Sequence, residues 1–371
     1  MSEVIFSELA CKHDRKIGVI ELNKPKALNA LNLNMITLLH EQLILWAKND
    51  KISFILIQGA GDKAFCAGGD VVSLYHAING SRDTTEVLDD DAIINNPSGE
   101  FFTQEYTLDL YIHQYKKPIV AWGDGYVFGG GLGFFAGASH RITTEKTIMA
   151  MPETAIGLYP DVGASWFLNQ MPNNLGLFLG ITGAFFNTAD AKYLGLSNFS
   201  IESAKKQTLV DDLCEIDWTI QNDISVQLNA ILKNFESASV DVMPVSKIQE
   251  HESIITSLML GNTIDSIYSA IADTNFEDKW LSTAQQKFCS ASVLSILLTY
   301  KQLELSKDFS IAECFKAEKN LSYRCCQYTE FAEGVRAQLV DKDKTPKWAF
   351  DKLSDIEPDL IQWFFSKVNN T

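Results

Sequence analysis

The sequence predicts an α/β layered domain that gives way to a mainly helical region. Three observations carry that expectation. Strand, loop and helix signals alternate from Ile17 to Trp122, as they do in layered α/β proteins. Glycine clusters stand at Gly68-Gly69 and at Gly129-Gly130-Gly131, where loops lead into helices. Beyond about residue 200, strand signals fade while apolar positions keep the helical period.

Ile17-Gly18-Val19-Ile20-Glu21-Leu22 alternates as a strand does and ends at the turn Asn23-Lys24-Pro25-Lys26. A helix is predicted over 27–49, where Leu31, Met35, Leu38, Leu39, Leu43 and Trp46 recur at helical spacing. Phe54-Ile55-Leu56-Ile57 is a buried-type strand, and Phe65 to Asp70 forms a loop leading into a helix. Residues 79–100, with Asp89-Asp90-Asp91 and Asn95-Asn96-Pro97-Ser98-Gly99, read as an exposed connection. A helix over 101–115 and a strand over 118–122 follow. Further on, 230–235, 291–305 and 330–339 carry helix-period apolar positions, among them Phe331, Val335 and Leu339.

A chain of 371 residues can bury a substantial core, in one large domain or two modest ones. Its net charge of −16 argues against nucleic-acid and anionic-membrane partners. An anionic ligand is still compatible with a local Lys or Arg patch, since charges beyond about one Debye length are screened. No apolar run is long enough to span a membrane. Residues 1–8 show neither a basic n-region nor an Arg-rich amphipathic pattern, so a cytoplasmic location is expected, or the mitochondrial matrix for a mature eukaryotic chain. Cys11, Cys66, Cys214, Cys289, Cys314, Cys325 and Cys326 form no metal-ligand spacing and read as reduced thiols.

The stretch 118–161 holds most of the chemistry. Glycines that open a helix leave backbone N–H groups bare and aimed at whatever sits there. Phe128-Gly129-Gly130-Gly131-Leu132-Gly133 is one such cluster, and Ala67-Gly68-Gly69-Asp70 is another. The competing reading of the second is a tight turn with positive φ. Gly131-Leu132-Gly133-Phe134-Phe135-Ala136 also fits a dinucleotide fingerprint, with Glu153 at ribose distance, but residues 123–127 separate it from the strand ending near Trp122. Met151-Pro152-Glu153 and Tyr159-Pro160-Asp161 put two carboxylates into an apolar loop, where desolvation disfavours the charged form and tunes a base towards neutral pH. A helix N-cap is the bland alternative for Glu153. Cys66 reads as packed, and Gly163-Ala164-Ser165-Trp166 lacks the second glycine of a nucleophile elbow.

With these motifs, the chain resembles the crotonase (enoyl-CoA hydratase/isomerase) superfamily. The resemblance begins at Leu22-Asn23-Lys24-Pro25-Lys26-Ala27-Leu28-Asn29-Ala30-Leu31 and continues through Ala64 to Asp70. It implies a spiral of repeated ββα units, with a core over 1–200 carrying the coenzyme A and catalytic sites, and a helical region over 201–371 packed on it. It implies CoA contacts at Lys26, Ala27, Leu28, Ala67, Gly68 and Asp70, and an oxyanion hole from the amides of Gly69 and Gly130. Gly133 replaces one of the two hydratase carboxylates, while Glu153 matches the other. Asp161, and Glu105 within Gln104-Glu105-Tyr106, resemble the branch that hydrolyses 3-hydroxyacyl-CoA thioesters. So do Leu321-Ser322 and the segments 330–337 and 341–348. The implied reaction is hydrolysis of 3-hydroxyisobutyryl-CoA in valine breakdown, with Glu153 and Asp161 catalytic, and with Glu105, Gly130, Glu153 and Asp161 binding substrate. An isomerase or hydratase of the superfamily, or a non-catalytic interaction subunit, is the alternative. No metal or other cofactor is expected, since CoA is part of the substrate; a homo-oligomer is possible. Lys24 and the Lys342/Lys344/Lys347 cluster are possible partners for the CoA phosphates.

Overall fold

The computed structural model describes residues 2–80, 89–219, 223–261 and 263–368. The chain falls into two compact units. The first comprises 1–69, 108–149 and 186–250, and the second 70–107, 150–185 and 251–371. Each draws on residues from both sides of position 200.

The first unit contains the strands. A six-stranded sheet has the order β1-β2-β3-β5-β7-β10, with β1 Val4–Ala10, β2 Lys16–Leu22, β3 Ile52–Gly59, β5 Ile119–Gly123, β7 His140–Thr143 and β10 Phe199–Ser200. The β1–β2 pair is antiparallel and the remaining pairs are parallel. Alternate residues Ile17, Val19, Phe54, Leu56, Val120 and Trp122 form one buried face with Leu209, Leu213, Trp218, Leu228 and Leu232. Those last residues come from the helices Lys206–Cys214 and Ile224–Ser237 and the segment between them. Alternate side chains of a pleated strand share one face, and β3 and β5 are largely buried on both faces. A second sheet has the order β4-β6-β8-β9, from Ala64–Cys66, Tyr126–Phe128, Ile148–Ala150 and Phe186–Asn187.

The second unit is built from helices. They include Val71–Gly80, most of Pro97–His113, Leu175–Thr182, Lys279–Ser290, Val293–Leu305 and Ile311–Gln327. The expected loss of strands after residue 200 holds among the described residues, since β10 ends at Ser200.

Three boundaries differ from the sequence reading. The helix expected over 27–49 starts at Leu33, because Leu28 and Asn29 take left-handed φ values of 52° and 58° and Asn32 caps it by accepting from the Met35 amide. The exposed connection over 79–100 is helical in large part. Asp89 caps Asp90–Ile94, and Pro97, favoured in a first helical turn, opens the helix to His113. Residues 81–88 of that connection lie outside the described residues. Residues 123–127, read as separating the glycines from a strand, lead into β6, which ends at Phe128. Even so, β6 and β7 flank the glycine-rich helix from different sheets, so the unit expected of a dinucleotide fingerprint does not form.

A β-carbon at Gly131 would lie 2.2 Å from the Cys66 carbonyl oxygen. Gly131→Ala should therefore push β4 from the helix Gly130–Ala136 and destabilise the protein by about 1–3 kcal/mol or more. Gly80→Ala, where an added β-carbon meets nothing within 4 Å, is the control in the same thermal melts and should be neutral or mildly stabilising.

Candidate active site

The first unit brings the two glycine loops together. β4 and β6 pair in parallel, Cys66 opposite Val127, so the loops that leave them run side by side. Gly68 has φ +113°, closed to most side chains, and its missing β-carbon would lie 3.8 Å from the Gly130 nitrogen. Phe65 stacks on Phe134 and meets Phe135 edge-on, which fixes the helix against β4. Among the described residues, neither the Gly69 nor the Gly130 amide donates a hydrogen bond. Gly130 opens its helix, where an amide lacks an intrahelical acceptor.

The segment predicted to contact CoA adjoins the first of these loops. Pro25–Ala27 is a 3₁₀ turn and Leu28 follows in the left-handed region. The Ala67 amide donates to the Leu28 carbonyl at 3.0 Å, and the Leu31 amide to the Gly68 carbonyl at 2.9 Å. Buried Asn29 locks the turn, donating to the Ala60 and Ala64 carbonyls and accepting from the Lys24 amide. Lys26 and Ala27 are exposed on this turn, and Asp70 caps the helix Val71–Gly80 through the Ser73 amide.

The second unit holds the carboxyl groups. Glu153 begins the 3₁₀ turn Glu153–Ile156; the N-cap position belongs to Pro152, so the capping alternative is not realised. Glu153 is 5 % exposed, and among the described residues its Oε2 has no hydrogen-bond partner. Burial, reinforced by the charge of Asp161, pushes its pKa well above the ordinary carboxylate value. Asp161 is also buried, and desolvation raises it to about 6 against the pull of a hydrogen bond from Tyr106. Glu105 is buried on the helix Pro97–His113, next to Tyr106.

Asp161 stands at the start of a strained turn. Val162 has φ +54°, an outlier for a β-branched residue, and Gly163 follows at +84°. Buried Glu318, on Ile311–Gln327, holds this turn by accepting from the Gly163 amide at 2.7 Å, the Ser165 amide at 3.0 Å and the Ser165 hydroxyl at 2.5 Å. Ser165 is therefore a structural donor, in keeping with the absence of a nucleophile elbow. Burial pushes Glu318 up to about 8.

Sequence reasoning missed Glu318, Ser322, Tyr159 and Tyr106 as neighbours of Asp161. A faint signal existed: Glu318 and Ser322 lie four apart on a helix whose other inward positions, Phe315, Leu321 and Cys325, are apolar. Cys66 is buried, and its thiol faces the Gly68 carbonyl at 3.6 Å. All seven cysteines are free thiols, and among the described residues no cluster of His, Cys, Asp or Glu is placed to hold a metal ion. No helix among those residues is long and apolar enough to cross a membrane. In the basic cluster near the C-terminus, Lys344 donates to the Gln338 carbonyl and the Lys347 amide to Glu333.

Bare glycine-loop amides in the first unit and buried carboxyls in the second are the kinds of group that acyl-transfer chemistry uses, and comparison with known proteins identifies the group. The family model described as Enoyl-CoA hydratase/isomerase matches residues 17–365, and the chain belongs to that family. The 3-hydroxyisobutyryl-CoA hydrolase, mitochondrial, of Danio rerio is 34% identical over 368 residues, 99% of this chain and 90% of that protein. The Homo sapiens protein of the same name is 34% identical over 367 residues, 98% of this chain and 89% of its own length. An enoyl-CoA hydratase structure from Rhodobacter sphaeroides matches with a TM-score of 0.82 at 26% identity, over 99% of this chain and 98% of that one. A carnitinyl-CoA dehydratase from Mycobacterium thermoresistibile gives 0.81 at 28%, over 100% and 98%. The crotonase-type fold expected from the sequence is thus borne out.

The raised acids have a consequence for stability. Between the ordinary carboxylate value and about 6, native Asp161 keeps a proton that the unfolded chain has lost. Its stabilising contribution is full below that window and disappears as pH rises through about 6. Glu153 and Glu318 act in the same direction. Urea unfolding should therefore show greater stability at pH 5 than at pH 8, with Asp161 contributing on the order of 1.4 kcal/mol over that interval, and Asp161→Asn should flatten the slope.

Proposed function

We propose that this chain hydrolyses the thioester of 3-hydroxyisobutyryl-CoA, yielding 3-hydroxyisobutyrate and free CoA in valine breakdown. The observation that carries the reading is Glu153, a buried carboxyl with one oxygen left without a partner among the described residues, within reach of the charge of Asp161. Such a setting disfavours the charged carboxylate and so makes it a stronger base than an exposed one. The names of the relatives from Danio rerio and Homo sapiens support hydrolysis. The matched structures carry hydratase and dehydratase titles. Gly133 argues against hydration here, because it stands where the resemblance puts a hydratase carboxylate.

In this mechanism the Gly69 and Gly130 amides take the thioester oxygen as its charge grows, each worth roughly 3 kcal/mol to the transition state. Glu153 activates water to attack the carbonyl and expel the CoA thiolate, or itself attacks, breaking the C–S bond to release CoA and give a transient anhydride that water then opens to the acid. Asp161 orients Glu153, the water or the substrate hydroxyl. Glu105 accepts a hydrogen bond from the 3-hydroxyl and so selects against the deoxy substrate. Lys26, Ala27, Leu28, Ala67, Gly68 and Asp70 contact CoA. No cofactor beyond the substrate's own CoA takes part. The functional division follows residue 200, with the core over 1–200 and the helical region over 201–371. The relatives' names are mitochondrial, which favours the matrix for a eukaryotic chain, the cytoplasm being the bacterial counterpart. Homo-oligomerisation belongs to the same proposal.

A thiol reagent reads the reaction directly: 3-hydroxyisobutyryl-CoA should release CoA, whereas an isomerase would free none. Glu153→Gln should lose about 10²–10⁴-fold in kcat while remaining folded, and Asp161→Gly should also fall steeply. Undiminished release by Glu153→Gln would sink the assignment. Glu105→Gln should narrow the preference for 3-hydroxyacyl over deoxyacyl thioesters, compared through kcat/KM.

A further inference from the structure

A run of hydroxyl groups ends on Asp161. Tyr106 Oη donates to Asp161 Oδ2 at 2.5 Å, and Ser322 Oγ lies 2.6 Å from Tyr106 Oη. Tyr159 Oη lies 2.9 Å from Ser322 Oγ and 2.7 Å from the Glu318 carbonyl. A carboxylate has no proton to give, so an ionised Asp161 fixes every hydroxyl direction in the run. The Tyr106 proton points at Asp161 and the Ser322 proton at Tyr106, leaving Tyr159 to share its proton between Ser322 and the carbonyl. All of these side chains are buried, a low-dielectric setting in which each bond polarises the next.

We propose that Tyr106 and Ser322 are positioning residues for the hydrolytic reaction: they fix the Asp161 carboxylate in one orientation and favour its charged form. The proposal rests on Asp161 acting in catalysis, as argued above. The run reaches one oxygen of Asp161 and approaches it from the helix Pro97–His113. Glu318 meanwhile restrains the turn that carries Asp161 by its backbone. Orientation of the side chain and placement of the main chain are thus divided between separate groups. The titratable groups around Asp161 are Glu153 on its 3₁₀ turn, Tyr106 on Pro97–His113, Tyr159 two residues before it, and Glu318 and Cys325 on Ile311–Gln327. Each of these others is an acid that disfavours a second negative charge, and the Tyr106 hydroxyl is the group that counters them by donating.

The test compares Tyr106→Phe, Ser322→Ala and Ser322→Thr with the unaltered protein, in two readouts. In turnover of 3-hydroxyisobutyryl-CoA, Tyr106→Phe should lower kcat by about 10–100-fold with little change in KM. The acid limb of its pH–rate profile should move to higher pH. Ser322→Ala should do the same more weakly, and Ser322→Thr, which keeps the hydroxyl, should restore it. The second readout needs no turnover: ¹³C-carboxyl titration of Asp161 should shift upward in Tyr106→Phe and Ser322→Ala. Lower melting temperature with an unmoved limb and unmoved titration would overturn the proposal. If Tyr106→Phe does not fold, the Ser322 pair decides by the same criteria. A lack of hydrolysis by the unaltered protein would remove the thioesterase reading, and the carboxyl titration would still judge the hydroxyl run.

Discussion

Placing Glu153 and Asp161 near each other, away from water, opposes folding, because each carboxyl loses hydration and each disfavours ionisation of its neighbour. Much of the polar architecture of the second unit addresses that conflict. Asp161 accepts a hydrogen bond from the Tyr106 hydroxyl, whereas among the described residues Glu153 Oε2 has no such partner. The result is an unequal pair. Asp161 is supported in its charged state by that bond, and unequal environments of this kind push the pKa values of two like groups apart.

The first unit solves a different problem with backbone alone. Two amide donors can face one acceptor only if nothing bulky stands between the chains that carry them. Gly68 and Gly131 meet that need, one through its left-handed φ and the other through contact with the Cys66 carbonyl. The parallel pairing of β4 with β6 sets the register, and the Phe65–Phe134 stack keeps the helix from drifting. Aromatic packing and glycine are complementary here: one supplies the attraction and the other the room.

Legibility in the sequence followed the range of the interactions. β2, β3 and β5 were readable because apolar runs and alternation are local signals, and so was the helical character after residue 200. The start of the first long helix was misplaced because left-handed Leu28 and Asn29 are held by distant partners, Ala60 and Ala64. Short strands such as Tyr126–Phe128 carry too few residues to show a period. At the candidate site, Gly69, Gly130, Glu105, Glu153 and Asp161 stood out by motif, and the fold confirmed by the comparisons gives those motifs their context. Glu318 did not stand out, and Tyr159 and Ser322 stood out only as parts of motifs, not as neighbours of Asp161. Their significance lies in contacts across more than a hundred residues, and no local pattern encodes such a contact.

The Gly163–Glu318 bond joins positions 155 residues apart, and it shapes how this protein can be made. A nascent chain emerging from the ribosome exposes Asp161 and its strained turn long before the helix Ile311–Gln327 has been synthesised. Until then the turn around Val162 has its local Ala164–Asp161 backbone bond but not the three bonds to Glu318. The surroundings of Asp161 are therefore completed only late in translation, and a prematurely terminated product would carry the motif residues without the burial that raises their pKa values.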